Sequence, residues 1–132
     1  MRQELDEALC RDFPLLYAER SSTVMRSCMA WGFECGDGWE PLIRALSGKL
    51  EALIAAQPED ERATASQVKE KFGTLRFYMD GATDAMYERI AEAEDESAHT
   101  CEECGKPGHL RGKGWVFTAC DDHAGEVPEH EA

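Results

Sequence analysis

The feature that most constrains this chain is a pair of short cysteine and histidine motifs near its carboxyl end. Cys101 and Cys104 are separated by two residues, as are Cys120 and His123, and 15 residues lie between the two pairs. Each short spacing lets one tight turn direct two side chains to the same point, and four such ligands are what a tetrahedral zinc ion requires. The pattern predicts that Cys101, Cys104, Cys120 and His123 bind one Zn²⁺.

Three cysteines and one histidine fill every position of a tetrahedral ion. The predicted zinc is therefore structural, with no open position for a catalytic water. A disulfide framework is the alternative, but the first residues show no apolar secretory segment, so we expect a cytoplasmic protein in a reducing compartment. A redox-active CxxC motif would need a βαβ context, which the pattern does not show.

The residues around the ligands predict a small module over residues 99–125. Residues 115–118 predict a short strand leading into the second ligand pair, and Asp121 predicts the start of a short helix. A treble-clef-like module has this order, and a zinc ribbon with its second pair in a turn is the alternative. The acidic residues 126–132 predict a frayed tail.

Residues 1–98 form the predicted main body. Apolar spacings of three and four residues predict helices near residues 2–12, 41–57 and 83–97. Pro41 suits a first helical position with Asp37 as a candidate cap, and Thr83 or Asp84 is a candidate cap for the last helix.

Alternation of apolar and polar residues predicts the strands of the body. Leu75, Phe77 and Met79 predict one strand, and a second is predicted around Trp31. Val68 and Phe72 predict one helical turn ahead of the Phe77 strand. The expected fold class is α+β, with about three helices on a small antiparallel sheet and a C-terminal zinc module.

The net charge of −13 narrows the range of partners. Negative charge repels nucleic acid phosphates at long range and disfavours a dedicated nucleic acid binder. It suits a protein that docks on a basic partner surface, although acidity that simply confers solubility explains the charge equally well. No run of apolar residues approaches the length of a membrane span.

Two groups of residues predict a contact surface. Arg76 and Tyr78, near Lys69 and Lys71, predict a basic and aromatic sheet face, which structurally is an ordinary exposed face. The loop of the zinc module has a basic side with an aromatic residue that is able to stack on a base, formed by Lys106, His109, Arg111, Lys113 and Trp115.

Three motifs occur in a fixed order: GDGW at Gly36–Trp39, VKEKFGTLRFY at Val68–Tyr78, and the CEECGKPG…W…CDDH run at Cys101–His123. With these motifs the chain resembles a group of small proteins of phages, prophages and bacterial genomes, over about residues 35–124. The resemblance implies a small, bacterial or phage-borne, intracellular zinc protein. The group has no established activity, so the resemblance transfers no catalytic residues.

The sequence therefore favours a non-enzymatic protein that binds another protein. A phage-type modulator or inhibitor of a host nucleic-acid-handling or defence complex is the specific hypothesis. The alternative is a nucleic acid-binding zinc finger that uses the basic loop 106–113. Catalysis is the least favoured hypothesis, because His109 is a lone loop histidine without a partner carboxylate at a diagnostic spacing.

Overall fold

The computed structural model describes residues 1–22 and 27–125, and the predicted tail 126–132 lies outside these residues. Within them, the chain forms three α-helices and five strands: α1 (Gln3–Asp12), β1 (Phe33–Glu34), α2 (Glu40–Ala55), β2 (Thr64–Lys71), β3 (Thr74–Asp80), α3 (Asp84–Ser97), β4 (His109–Arg111) and β5 (Phe117–Ala119). The predicted α+β class is confirmed. No helix in this part of the chain is long and apolar enough to cross a membrane.

Two small sheets carry the strands. β1, β2 and β3 form one sheet in that order, with β1 parallel to β2 and β2 antiparallel to β3. β4 and β5 form a separate antiparallel hairpin. The body sheet is thus mixed, because the chain reaches β2 from β1 through the whole of α2.

The core is one cluster of buried side chains shared by the helices and the inner face of the body sheet. The apolar stripe of α2 contributes Ile43, Leu50 and Ile54, all fully buried. Leu75 and Phe77 of β3 belong to the same cluster, so the predicted inward face of this strand is confirmed. Trp39, just before α2, is also fully buried.

The predicted helical turn at Val68 and Phe72 is wrong, because Val68 lies in β2. Phe72 and Gly73 form the two-residue turn of the β2–β3 hairpin, with φ of 54° and 85°. Positive φ at both positions matches the twist of the strands. The sequence did not indicate this strand because the charged residue Glu70 occupies a buried position, where the alternation would place an apolar residue. Burial is tolerated because the Glu70 carboxylate accepts a hydrogen bond from the Gly73 N–H at 2.6 Å.

The strand predicted around Trp31 is found only at its end, since Phe33 and Glu34 form β1 and Trp31 itself is not extended. Trp31 ends a 3₁₀ turn, Cys28–Trp31, and its side chain is 66% exposed. The extended segment begins at Phe33, after Gly32 with a φ of 77°. A Cβ at Gly32 would lie 2.5 Å from the Asp6 carboxylate, which accepts a hydrogen bond from the Phe33 N–H at 3.2 Å. Glycine is required here because the buried carboxylate approaches the backbone closely.

The helix caps differ in how well they were predicted. Thr83 caps α3, since its side chain accepts a hydrogen bond from the Met86 N–H at 3.3 Å. Asp37 does not cap α2, which begins from Trp39 without a side-chain cap. The Asp37 carboxylate instead pairs with Arg2 at 2.9 Å.

Two side chains of α3 accept hydrogen bonds from backbone N–H groups on the edge of β3 that faces away from β2. The Phe77 N–H donates to the Glu94 carboxylate at 3.0 Å, and the Leu75 N–H donates to the Ser97 hydroxyl at 2.9 Å. These bonds supply the partners that a further strand would otherwise provide. Glu94 therefore has a structural role, beyond the solvated acidic face that the sequence suggested for α3.

Replacing Ser97 by alanine is expected to lower the free energy of unfolding by about 1–3 kcal/mol, because the buried Leu75 N–H loses its acceptor. Urea denaturation measures this change. Glu88→Ala, an exposed change on the same helix, is the control and is expected to stay within about 0.5 kcal/mol of the parent. Equal stability of the two variants would contradict the role given to Ser97.

Candidate metal centre

The four residues predicted as metal ligands come together. Their ligand atoms all lie within 4.8 Å of one another. Cys120 Sγ is 3.2 Å from His123 Nδ1 and 3.6 Å from Cys104 Sγ, and Cys101 Sγ is 3.6 Å from His123 Nδ1. Ligands at the usual zinc bond lengths in a tetrahedron are about 3.5–3.8 Å apart, so the arrangement fits one small metal ion.

The first ligand pair lies in a tight turn that follows α3. The Gly105 N–H donates to the Cys101 carbonyl at 2.9 Å, and the Cys101 N–H donates to the Lys106 carbonyl at 2.8 Å. Gly105 has a φ of 79°, which a glycine adopts without strain. The turn thus folds the backbone around the point where Cys101 and Cys104 meet.

The second ligand pair follows the β4–β5 hairpin. Cys120 comes directly after β5, and His123 closes a 3₁₀ turn, Asp121–His123. The order of turn, hairpin and 3₁₀ turn agrees with a treble-clef-like or a zinc-ribbon-like module. The strand lies at Phe117–Ala119, later than the predicted residues 115–118, so Trp115 belongs to the hairpin loop.

The pKa values of the Cys101 and Cys104 thiols are shifted in opposite directions. Burial by itself raises the pKa of Cys101, but hydrogen bonds with the backbone of Cys120, Cys104 and Glu103 outweigh it, and the net pKa is lowered. The pKa of Cys104 is raised, by burial and then by its contacts with the thiols of Cys120 and Cys101. Neighbouring thiols resist joint ionisation, and a divalent cation relieves this by compensating their negative charge.

The GDGW motif lies directly against the first ligand turn. The Gly38 N–H donates to the Glu102 carbonyl at 2.7 Å, and the Gly36 N–H donates to the Glu102 carboxylate at 2.9 Å. The Trp39 indole N–H donates to the Thr100 carbonyl at 2.8 Å. The start of α2 is therefore bonded to both sides of Cys101.

Two glycines of this motif are required by the closeness of the two backbones. A Cβ at Gly38 would lie 2.3 Å from the Cys101 carbonyl oxygen and 2.6 Å from the Gly105 nitrogen. A Cβ at Gly36 would lie 2.4 Å from the Glu102 carbonyl oxygen. The sequence did not predict this contact, because residues more than 60 positions apart leave no local pattern when they meet.

The tip of the β2–β3 hairpin contacts the module from another side. The Thr118 hydroxyl donates to the Gly73 carbonyl at 2.6 Å, and the Glu102 N–H donates to the Thr118 carbonyl at 3.1 Å. A Cβ at Gly73 would lie 2.7 Å from the Leu110 side chain. All three sequence motifs thus meet around the metal centre. The division into 1–98 and 99–125 stays a prediction, and these contacts join the two parts.

The predicted basic side of the module is partly neutralised by the module itself. The Arg111 guanidinium donates to the Ala119 carbonyl at 2.9 Å and pairs with Asp121 at 2.8 Å, which lowers the pKa of Asp121. Lys106 lies 3.6 Å from the Asp122 carboxylate. His109 and Lys113 are exposed, and the Trp115 side chain is 51% exposed.

The other predicted contact residues lie on the outer face of the β2–β3 hairpin. Arg76 is opposite Lys69, and Tyr78 is opposite Gln67 and 44% exposed. The sequence missed Phe72, which is 71% exposed at the hairpin turn, because that residue was assigned to a packed helical turn. Leu110, 46% exposed, was also missed.

The remaining cysteines lie outside the metal cluster. Burial, together with the nearby Asp6 carboxylate, raises the pKa of Cys10 to about 12. Burial also raises the pKa of Cys35, which is fully buried beneath the GDGW segment. Both behave as small core side chains, whereas Cys28 is exposed.

Comparison of the chain with protein-family models, curated proteins and solved structures gives no match, so the site is interpreted from its own geometry.

Gly38→Ala is expected to lower the free energy of unfolding by about 1–3 kcal/mol or more, because its methyl group has no space beside the Cys101 turn. The matched control is Gly48→Ala in α2, where a Cβ would meet only Phe13 at 3.9 Å. The control is expected to raise stability by about 0.5–1 kcal/mol, since alanine is the better helix former. Thermal and urea unfolding measure both changes, and a neutral Gly38→Ala would contradict the close contact.

Proposed function

We propose that this protein is a zinc-stabilised binding protein that acts by attaching to another protein. The observation that carries the proposal is an exposed apolar surface beside the metal centre. We call it the tip patch, and it consists of Phe72 on the β2–β3 hairpin and Leu110 and Trp115 on the β4–β5 hairpin. Their side chains are 71%, 46% and 51% exposed.

The chemistry of the ligand set supports zinc as the metal. Three thiolates and one imidazole in a tetrahedral arrangement suit Zn²⁺, which lacks a geometric preference of its own. Four protein ligands complete its coordination, so the ion supplies folding energy rather than a site for a substrate. In the proposal the zinc ion fixes the turn at Cys101–Gly105. Glu102 of this turn is bonded to Thr118 of β5, and Thr118 is bonded to the tip of the β2–β3 hairpin.

The form of the tip patch supports attachment to a protein. A cleft of about 240 Å³ lies between the two hairpins and is lined by Glu70, Lys71, Phe72, Gly114, Trp115 and Val116. Contiguous exposed apolar surface marks interaction sites, and tryptophan is enriched among the residues that dominate binding energy. The bond from Thr118 to Gly73 holds the two sides of the cleft together before a partner arrives.

The biological setting in this proposal comes from the sequence. A phage-type modulator of a host nucleic-acid-handling or defence complex in the cytoplasm agrees with the resemblance and with the charge of −13. The exposed acidic residues of α3, which include Glu88, Glu92 and Glu96, offer carboxylates to a basic groove. Nucleic acid binding through residues 106–113 is less favoured, since Arg111 and Lys106 already pair with Asp121 and Asp122.

The metal part of the proposal predicts one zinc ion per chain. Cys120→Ser is expected to abolish stoichiometric zinc binding and to lower the Tm by about 10 °C or more, because metal binding is coupled to folding of the module. Elemental analysis and thermal melts with and without chelator measure both effects. Cys28→Ser, an exposed cysteine outside the cluster, is the control and is expected to retain metal and Tm. A chain that melts identically with and without chelator would refute this part.

The binding part of the proposal predicts that the tip patch is needed to capture a partner. A tagged chain is used in a pull-down from nuclease-treated bacterial lysate, beside the double variant Phe72→Ser with Trp115→Ser. The wild type is expected to retain a stoichiometric protein that the variant loses, because truncated aromatic anchors cost about 2 kcal/mol or more each.

Trp31→Ser with Tyr87→Ser is the matched control, since these side chains are 66% and 50% exposed but belong to neither hairpin. This control is expected to capture the partner as well as the wild type does. Equal capture by both double variants would rule out the tip patch as the contact surface. Recovery of nucleic acid alone, from lysate without nuclease, would favour the loop at residues 106–113 instead.

A further inference from the structure

Some lysine and arginine side chains form ion pairs with carboxylates and others do not, and the two groups lie in different parts of the molecule. In the part of the chain that the structure describes, ion pairs hold seven of them: Arg2, Arg11, Arg20, Arg44, Arg89, Lys106 and Arg111. None of the ion pairs within these described residues includes the other six: Lys49, Arg62, Lys69, Lys71, Arg76 and Lys113. Four of these six lie on the β2–β3 hairpin or in the loop that carries Trp115, so the unpaired positive charge is concentrated near the tip patch.

Three of these cations form a row that leads to the cleft. Lys69 and Arg76 lie directly opposite each other on the outer face of the hairpin. Lys71 follows on the same face, since side chains two residues apart on a strand point the same way. Its ammonium group lies 5.5 Å from the centre of the Phe72 ring. We call Lys69, Lys71 and Arg76 the basic row.

The cleft at the end of the row suits one large apolar side chain. Its volume of about 240 Å³ is below the roughly 300–1,000 Å³ of typical small-molecule sites. Phe72, Trp115 and Val116 form apolar walls, while the Glu70 carboxylate is bonded to the Gly73 N–H. Lys71 lines the cleft, and the exposed Lys113 is next in sequence to the lining residue Gly114.

We propose that the tip patch and the basic row bind an acidic segment of the protein partner, in which one large apolar residue is flanked by aspartates or glutamates. The apolar residue fills the cleft, and its neighbouring carboxylates pair with Lys71, Lys69 and Arg76. This inference rests on the proposed protein-binding function and specifies the chemistry of the partner.

Charge favours a short acidic segment over a nucleic acid strand. The net charge of the chain is −13, so the basic row is a local exception on a negative molecule. At physiological salt the screening length is about 8 Å, so the acidic face of α3 has little effect on carboxylates that pair with Lys71 and Arg76. Glu34 is the strand partner of Lys69, so the row carries its free positive charge mainly at the end nearer the cleft. A long strand of phosphates would extend beyond the three cations and meet negative surface.

The test uses the full-length, zinc-loaded protein and three defined probes. The first is a 12-residue peptide with one leucine and one phenylalanine among aspartates and glutamates. The second is the same peptide with every acidic residue replaced by lysine, and the third is a 12-nucleotide strand of thymidine. Isothermal calorimetry at 50 and 300 mM salt measures each affinity.

Only the acidic peptide is expected to bind, with an affinity that falls several-fold at the higher salt. Lys71→Glu with Arg76→Glu is expected to weaken binding by about tenfold or more, and Trp115→Ala by a similar factor. Lys49→Glu is the matched control, because Lys49 is an exposed, unpaired lysine of α2, and its affinity is expected to stay within about twofold. Zinc content and circular dichroism verify that each variant is folded.

Absence of saturable binding by the acidic peptide would overturn the inference. Equal binding of the lysine peptide, tighter binding of the thymidine strand, or equal effects of Lys49→Glu and the double variant would overturn it as well. If a lysate protein is captured through the tip patch while the acidic peptide fails to bind, the inference falls and the proposed function stands. Loss of patch-dependent capture would instead remove the proposed function.

Discussion

The contact between the Gly36–Trp39 segment and the turn that carries Cys101 and Cys104 is the constraint on which the rest of the structure depends. It joins the start of the main helix α2 to the metal centre by hydrogen bonds from Gly36, Gly38 and Trp39. The two backbones approach so closely that only glycine fits at two positions. A metal ion bound by this turn is therefore expected to stabilise the start of α2 as well.

The same arrangement also holds the β4–β5 hairpin in place. The β4–β5 hairpin is short, and an isolated two-stranded hairpin is only marginally stable in water. Its two ends are fixed by the ligand pairs, and Thr118 bonds it to the tip of the β2–β3 hairpin. The contact between the hairpins thus places Phe72 and Trp115 along one cleft and Leu110 against Gly73, although these residues come from two separate parts of the chain. In the proposed function, folding energy from the ion maintains this binding surface.

Charge gives this surface its proposed selectivity. Many basic side chains elsewhere form ion pairs within the protein. Arg44, for example, pairs with both Asp12 and Glu40. The basic row lacks such partners within the described residues, so its charge is available to a ligand. The sequence placed both Arg76 and residues of the loop 106–113 in a possible contact surface, and the ion pairs of Arg111 and Lys106 distinguish them.

The sequence by itself predicted the α+β class, the inward face of β3 and the four residues that come together as a candidate metal site, and it limited the cap of α3 to Thr83 or Asp84. These features follow from short-range chemistry: a ligand spacing, an apolar period or one cap bond. Only the tertiary structure decided the roles of Gly38, Glu70, Phe72 and Glu94, and it placed Trp31 itself in a 3₁₀ turn. Each of these depends on a buried polar contact or a close backbone approach, often between residues far apart in the chain. A local hydrophobic pattern does not predict such contacts. The group that hydrogen-bonds a buried carboxylate, or that leaves no space for a Cβ, comes near only when the chain has folded.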